Sequence, residues 1–258
     1  MDYRTIGFTV EENVAVLTLR RPDKMNALNS EMRREIIDAL GRGAQDARAL
    51  VLTGEGRAFC SGQELGENGG MEKIDLGRVL REEYEPMLRA IYDCPVPTIS
   101  AVNGPAAGAG ANLALAADVV IATESASFLQ AFTRIGLIPD AGGTYWLPRQ
   151  VGMARAMGAA LFAEPVTARQ AADWGMIWEA VPDDAFAAHW KSRARKLAAG
   201  PTQAYAHVKT ALRSSFENTL DVQLDLEAEL QGKCGKTADF AEGVAAFLEK
   251  RPARYEGR

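Results

Sequence analysis

Three short runs dominate what this chain can become: "ALVLTG" (Ala49 to Gly54), "TISAV" (Thr98 to Val102) and "DVVIA" (Asp118 to Ala122). The first two read as strands buried within a sheet, and the third closes the next unit. Stretches of helical spacing separate them. Strands thus alternate with helices up to about residue 150, which indicates an α/β layered architecture. Upstream, "IGFTVEENVAVLTL" gives two alternating runs around Glu12-Asn13, a hairpin pattern. "NSEMRREIIDALGRG" predicts a helix capped by Asn29 or Ser30, with Met32, Ile36, Ile37 and Leu40 on one face and Gly41 or Gly43 as its end. Another helix is predicted from about Asp75 to Ile91, and one over "ANLALAA". Beyond Val151 the pattern turns helical, over 154–161, 168–174, 183–199, 202–213, 219–233 and 237–249, with one short strand, "MIWEAV".

Composition removes several function classes. A net charge of −5 argues against nucleic-acid binding. The one basic cluster, Lys191, Arg193, Arg195 and Lys196, falls in an amphipathic helix and reads as a solvated face. The longest apolar run, Pro105 to Ala122, is broken by Asn112, Asp118 and glycines, so it does not read as a membrane span. Cys60, Cys94 and Cys234 are odd in number and widely spaced. That spacing suits neither a disulfide framework nor zinc, and a reducing cytoplasm is the expected home. Only His189 and His207 are present, both in the helical third. Proton chemistry therefore falls to carboxylates.

Two loops stand out. Ala58 to Gly62 and Gly104 to Gly110 each follow a buried strand, are rich in small residues, and run toward a helix. Such loops either pack tightly or let backbone N–H groups approach a ligand. Phosphate-loop and dinucleotide patterns fail, since no G-x-x-x-x-G-K-[ST] occurs and Leu113 stands where G-x-G-x-x-G needs its last glycine. Two converging amide loops suit an oxygen that turns negative during reaction. A third stretch, "GLIPDAGGT", sets Asp140 between a proline and a glycine pair. Asp before Gly-Gly is ordinary turn chemistry, so Asp140 either shapes the turn or moves a proton.

"RPDKMNALN", "GEGRAFCSGQEL", "PTISAVNGPAAGAGANLALAADVVIA", "FTRIGLIPDAGGTYWLPR", "ARQAADWGMI" and "FLEKRPARY" together resemble the crotonase (enoyl-CoA hydratase/isomerase) superfamily, in the expected order over nearly the whole chain. "AAGAGA", "LIPDAGGT" and "DWGMIW" most resemble the branch that isomerises ring-epoxidised phenylacetyl-CoA to oxepin-CoA. The resemblance implies an α/β spiral of ββα units over residues 1–200. It implies a helical trimerisation region over 201–258, giving a homotrimer or a dimer of trimers. It implies an acyl-CoA thioester as substrate, with no metal and no further cofactor.

Carried over by position, the backbone N–H groups of Gln63 and Ala109 form the oxyanion hole, with Asp140 as the acid–base group. Lys24, Met25, Ala27, Leu28, Ala58, Ser61, Gly62 and Leu65 line the CoA groove, and Gly108, Asn112, Phe132, Leu137 and Trp146 are further substrate- or CoA-binding candidates. Phe247 and Lys250 reach a CoA held by the adjacent subunit. Phe240, Val244, Phe247 and Leu248 also form an apolar helical stripe, which by itself predicts burial against something. The departures carry weight. The two glutamates that hydratases of this superfamily use to add water are replaced by Asn112 and Phe132. The expected reaction is therefore isomerisation. Rival readings are a Δ3,Δ2- or dienoyl-CoA isomerase, a dehalogenase with Asp140 as nucleophile, and a silent acyl-CoA-binding subunit.

Overall fold

The computed structural model describes residues 2–64 and 75–258. Leu65 lies outside the described residues. The central sheet is built from β1 (Ile6–Glu11), β2 (Val14–Leu19), β3 (Ala49–Gly54), β4 (Thr98–Val102), β6 (Val119–Thr123) and β9 (Glu179–Val181), in the order β1-β2-β3-β4-β6-β9. β1 and β2 form the antiparallel hairpin. Its turn residues Glu12 and Asn13 take φ of 51° and 61°, as a two-residue primed turn requires. The other pairings in this sheet are parallel.

Alternation along the strands splits the core in two. Leu50 and Leu52 face one side with Leu17, Ile36 and Leu40. Ala49 and Val51 face the other, with Ile99, Ala101 and Ile121, against Phe186, Trp190 and Ala194. Coverage on both faces explains why these strands read as unbroken apolar runs. A small second sheet joins β5 (Ala106–Ala107), β7 (Ser127–Leu129) and β8 (Val166–Thr167) beside the first.

Several helices differ from their sequence-based bounds, each for a local reason. α1 spans Ser30–Asp46, with Asn29 as cap accepting from Met32 N–H, and runs through both Gly41 and Gly43. Gly43 is there for close approach: a Cβ on it would lie 2.8 Å from Leu50 Cδ1 and 3.1 Å from Ala15 Cβ. The predicted 75–91 helix is α2 (Leu76–Val79) and α3 (Glu85–Tyr92), joined by a π turn over Leu80–Tyr84. α4 (Ala109–Leu115) begins two residues before the predicted Ala111, which makes Ala109 its first residue. α5 spans Gly143–Phe162, well before the predicted start at residue 154, and is kinked at Gly152 (φ 76°). β9 is shorter than "MIWEAV", and α6 (Ala168–Asp173) packs beside it.

After α7 (Phe186–Ala198) come α8 (Thr202–Ser214), α9 (Leu220–Cys234) and α10 (Ala238–Glu249). Residue 200, the expected division of the chain, falls in the connection between α7 and α8. Arg48 laces the two sides together, donating to Thr202 Oγ1 (3.0 Å), the Gly200 carbonyl (2.5 Å) and the Tyr255 carbonyl (2.9 Å). Among the described residues no helix is long and apolar enough to cross a membrane.

Candidate active site

The two glycine-bearing loops lie side by side. Cys60 N–H and Phe59 N–H donate to the Pro105 carbonyl, and Ala107 N–H donates back to the Cys60 carbonyl (2.9 Å). Small residues are what allow this approach. A Cβ on Gly62 would meet the Ala107 carbonyl oxygen at 2.8 Å, and one on Gly110 would meet the Cys60 carbonyl oxygen at 2.3 Å. Gly62 also needs its φ of 95°. Residues 62 to 64 are held on their other side by Leu28, whose N–H donates to the Gly62 carbonyl (2.8 Å) and whose carbonyl accepts from Glu64 N–H (3.1 Å). In that parallel bridge Gln63's own N–H points away from Leu28. Among the described residues neither the Gln63 N–H nor the Ala109 N–H, first in α4, finds an internal backbone or side-chain acceptor.

Gln63 and Ala109 line one cavity of about 130 Å³, with Ser61, Gly62, Gly108, Phe132, Leu137 and Asp140. Asp140 is its one carboxylate among the described residues. A turn does form here, but the backbone makes it. The Asp140 carbonyl accepts from Gly143 N–H (2.8 Å) across Ala141 and Gly142, whose φ values are 47° and 81°. The same carbonyl accepts from Asn112 Nδ2 (2.7 Å). The Asp140 carboxylate takes no part in either bond. Burial pushes its pKa up from 3.8 to about 6.

The other expected residues divide into groups. Phe132 is buried and walls the cavity near Gly108. Asn112 does not line it: fully buried, its amide is occupied by the Asp140 carbonyl and by Gln130 Nε2, which donates to Asn112 Oδ1 (2.8 Å). It positions the Asp140 turn. Leu28 and Ala58 are likewise buried and support the loop from behind. Met25 accepts Ser61 N–H and Lys24 accepts Ser61 Oγ–H through their carbonyls, and Ala27 N–H donates to Lys24, so this segment borders the loop at Ser61. Trp146 lines a larger cavity of about 1130 Å³ that shares Leu80, Tyr84 and Asp140 with the first. Phe247 lies in neither: 83% exposed on α10, it borders a separate depression with Pro201 and Tyr255. Lys250 is the exposed cap of α10.

One part of the cavity wall carries no signal in the sequence. Val79, Leu80 and Tyr84 supply it from the α2–π–α3 segment. A π turn there widens one helical turn beside the cavity, a placement common at functional sites. Helical spacing alone carries no mark of it.

Against this geometry, comparison with known proteins is specific. The model of the enoyl-CoA hydratase/isomerase family matches residues 9–258. A Rhodobacter capsulatus protein named "probable enoyl-CoA hydratase" is 64% identical over the whole of both chains. The 1,2-epoxyphenylacetyl-CoA isomerase of Escherichia coli is 46% identical, over 96% of this chain and 97% of that one. The crystal structure of enoyl-CoA hydratase from Bacillus anthracis superposes with a TM-score of 0.91 at 30% identity, covering 99% of this chain and 100% of that one.

Proposed function

The chain belongs to the enoyl-CoA hydratase/isomerase family and has its crotonase fold, and from that premise we propose that it is an acyl-CoA isomerase acting on ring-epoxidised phenylacetyl-CoA. One observation carries the reading. Asp140 is the one carboxylate of the described cavity, its side chain is not spent on the turn, and the Gln63 and Ala109 amides, unpartnered among the described residues, line the same space. In the proposed reaction Asp140 takes a proton from C2 of the thioester. The enolate charge then rests on the thioester oxygen between the two amides. The ring electrons rearrange, the epoxide opens to the seven-membered oxepin, and Asp140 returns the proton to carbon. No atom is gained or lost. Burial that raises the Asp140 pKa to about 6 brings it near working pH for both proton transfers.

The name of the Rhodobacter capsulatus relative favours water addition instead. The two positions that would have to supply glutamates speak against it. Asn112 is locked between Asp140 and Gln130, and Phe132 is an apolar wall. Purified protein is therefore expected to hydrate crotonyl-CoA at a negligible rate beside its isomerase turnover, measured on epoxyphenylacetyl-CoA and on a 3-enoyl-CoA in parallel. Hydration at a comparable rate overturns isomerisation as the reaction class. Turnover of the 3-enoyl-CoA alone moves the substrate to alkenoyl esters, with the same base.

The proposed assembly is a homotrimer or a dimer of trimers. Its support is the apolar surface left open on one chain. Met153, Met157, Leu161 and Phe162 are exposed on the second half of α5, and Phe240, Val244, Phe247 and Leu248 on α10. Stripes of this size mark interaction surfaces in soluble proteins. In that assembly Lys250 meets the phosphates of a CoA held next door. Lys250→Ala is expected to raise KM, through a loss of about 0.5–1 kcal/mol at an exposed contact, and to leave kcat nearly unchanged. A monomer in sedimentation, or an unchanged KM, removes this contact from the reading.

A further inference from the structure

Arg33 stands one turn into α1 with its side chain only 1% exposed. A guanidinium can be buried only where its charge and its donors are matched, and here they are. Nε and Nη2 donate to one oxygen of Glu83 (3.1 and 2.7 Å), and Nη2 also reaches Ser30 Oγ (3.1 Å). Nη1 donates to the Leu28 carbonyl (3.0 Å) and to Gln63 Oε1 (2.8 Å). The guanidinium carbon lies 4.7 Å from the centre of the Tyr84 ring, and the Tyr84 hydroxyl donates to the same Gln63 Oε1 (2.5 Å). Burial pushes the Glu83 carboxyl up, but the hydrogen bonds from Arg33 and Ser30 outweigh it and hold Glu83 below the usual carboxylate range. The ion pair is complete.

Two of these contacts bear on the site. Leu28 is the residue whose backbone brackets Gln63, through Gly62 and Glu64. Arg33 therefore grips Gln63 twice, by its side-chain oxygen and by the carbonyl of the residue bridged to it. Leu28 N–H holds the Gly62 carbonyl, in the peptide that carries the Gln63 N–H, and the Leu28 carbonyl holds Glu64 N–H. With Leu28 and the Gln63 side chain both fixed, the two peptides flanking Gln63 have little freedom to rotate. Tyr84, gripped by the same group, is one of the residues that wall the cavity.

We propose that Arg33 is a positioning residue: acting through the Gln63 side chain and the Leu28 carbonyl, it aims the Gln63 backbone N–H at the thioester oxygen. The proposal rests on the oxyanion role given to Gln63 above. An amide that must meet developing charge is effective only when it is oriented before the charge appears, so a loosened donor lowers kcat more than it weakens ground-state binding. A lysine cannot stand in. Its three donors sit on one nitrogen and cannot span Glu83, Leu28 and Gln63 as a planar fork does.

The test is Arg33→Lys, which keeps the charge beside Glu83, read by kinetics and by the infrared C=O stretch of bound phenylacetyl-CoA labelled with ¹³C at the carbonyl. The expected result is a kcat lower by about tenfold or more, a KM within about threefold, and a C=O stretch moved back toward its value in free ester. Gln63→Leu removes the gripped oxygen while leaving the Arg33–Glu83 pair and the backbone N–H, and it carries the test if Arg33→Lys does not fold. It should show the same return of the C=O stretch. A variant that melts lower yet keeps kcat and the shifted stretch overturns the positioning role and leaves the oxyanion hole standing. An unshifted stretch in the unmodified protein overturns the hole, and Arg33's role with it.

Discussion

Asp140→Asn is expected to lower turnover by at least about 10²-fold, to leave CoA-ester affinity similar, and to make the protein more stable at neutral pH. The first two effects follow from what asparagine retains and loses. It keeps size and polarity, and the turn it must support is built by backbone groups, through the Gly143 N–H and the Asn112 amide. It cannot take a proton. The third effect follows from the pKa of about 6. A carboxyl whose folded-state pKa stands above its unfolded value binds its proton more tightly when folded. Its contribution to stability is complete below about pH 4 and is lost as pH rises through about 6. At pH 7–8 the charged side chain is therefore a cost that Asn does not carry. A shift of roughly two pK units corresponds to about 3 kcal/mol at full strength, reduced to about 1–2 kcal/mol because Asp140 is partly exposed. For a domain of this size that is a Tm rise of about 2–8 °C. In the unmodified enzyme, kcat/KM should climb through about pH 6 and level off as the base ionises. An active Asn variant removes Asp140 as the acid–base group. An inactive variant that melts lower shows that the side chain was structural after all.

What the sequence disclosed and what it withheld follow one physical line. β3 and β4 were legible because both faces are covered, and the β1–β2 turn because only two residues lie between alternating runs. β5, β7 and β8, at two or three residues each, are too short for any period to register. The first half of α5 was hidden because Gly142, Gly143 and Pro148 carry turn and breaker signals, while the helix in fact starts on those glycines. Glycines in α1 misled in the opposite direction, since Gly43 answers to the sheet beneath it. At the site, the small-residue loops and Asp140 lie in local motifs, and motifs can be read. Arg33 cannot. In "MRREIIDAL" it looks like any solvated arginine, and its burial depends on Glu83, fifty positions away. Asp118 was visible only as an interruption of an apolar run, because its cationic partners, Lys209 and Arg213, stand far along the chain, Arg213 95 residues on.

Those partners make Asp118→Ala strongly destabilising. Asp118 Oδ2 accepts from Thr98 N–H (2.8 Å), Thr98 Oγ1 (2.9 Å) and Lys209 Nζ (2.8 Å), and Oδ1 accepts from Arg213 Nη2 (2.6 Å). Both cations come from α8, and their side chains are only 10% and 22% exposed. Lys209 also caps the Cys94 and Val96 carbonyls, and Arg213 stacks over Tyr92 at 3.8 Å while donating to its carbonyl. Removing the carboxylate strands two largely desolvated charges at the point where α8 is tied to Asp118 and to the Tyr92–Val96 connection. The cost is about 3–5 kcal/mol, against about 1 kcal/mol or less for an exposed pair such as Arg195–Glu12. Denaturant unfolding at fixed protein concentration measures it. Lys209→Met combined with Asp118→Ala should recover part of the loss, because it removes one of the stranded charges. The effect should also reach the site. Tyr92, held by Arg213, packs on Trp146 with ring centres 5.3 Å apart, and a Cβ on Gly142, within the Asp140 turn, would touch that indole. Turnover should then fall with the docking of α8 even though no residue of α8 lines the Asp140–Gln63 cavity. A loss under about 1 kcal/mol would show that α8 is held by its other contacts and that Asp118 is a surface pair in all but position.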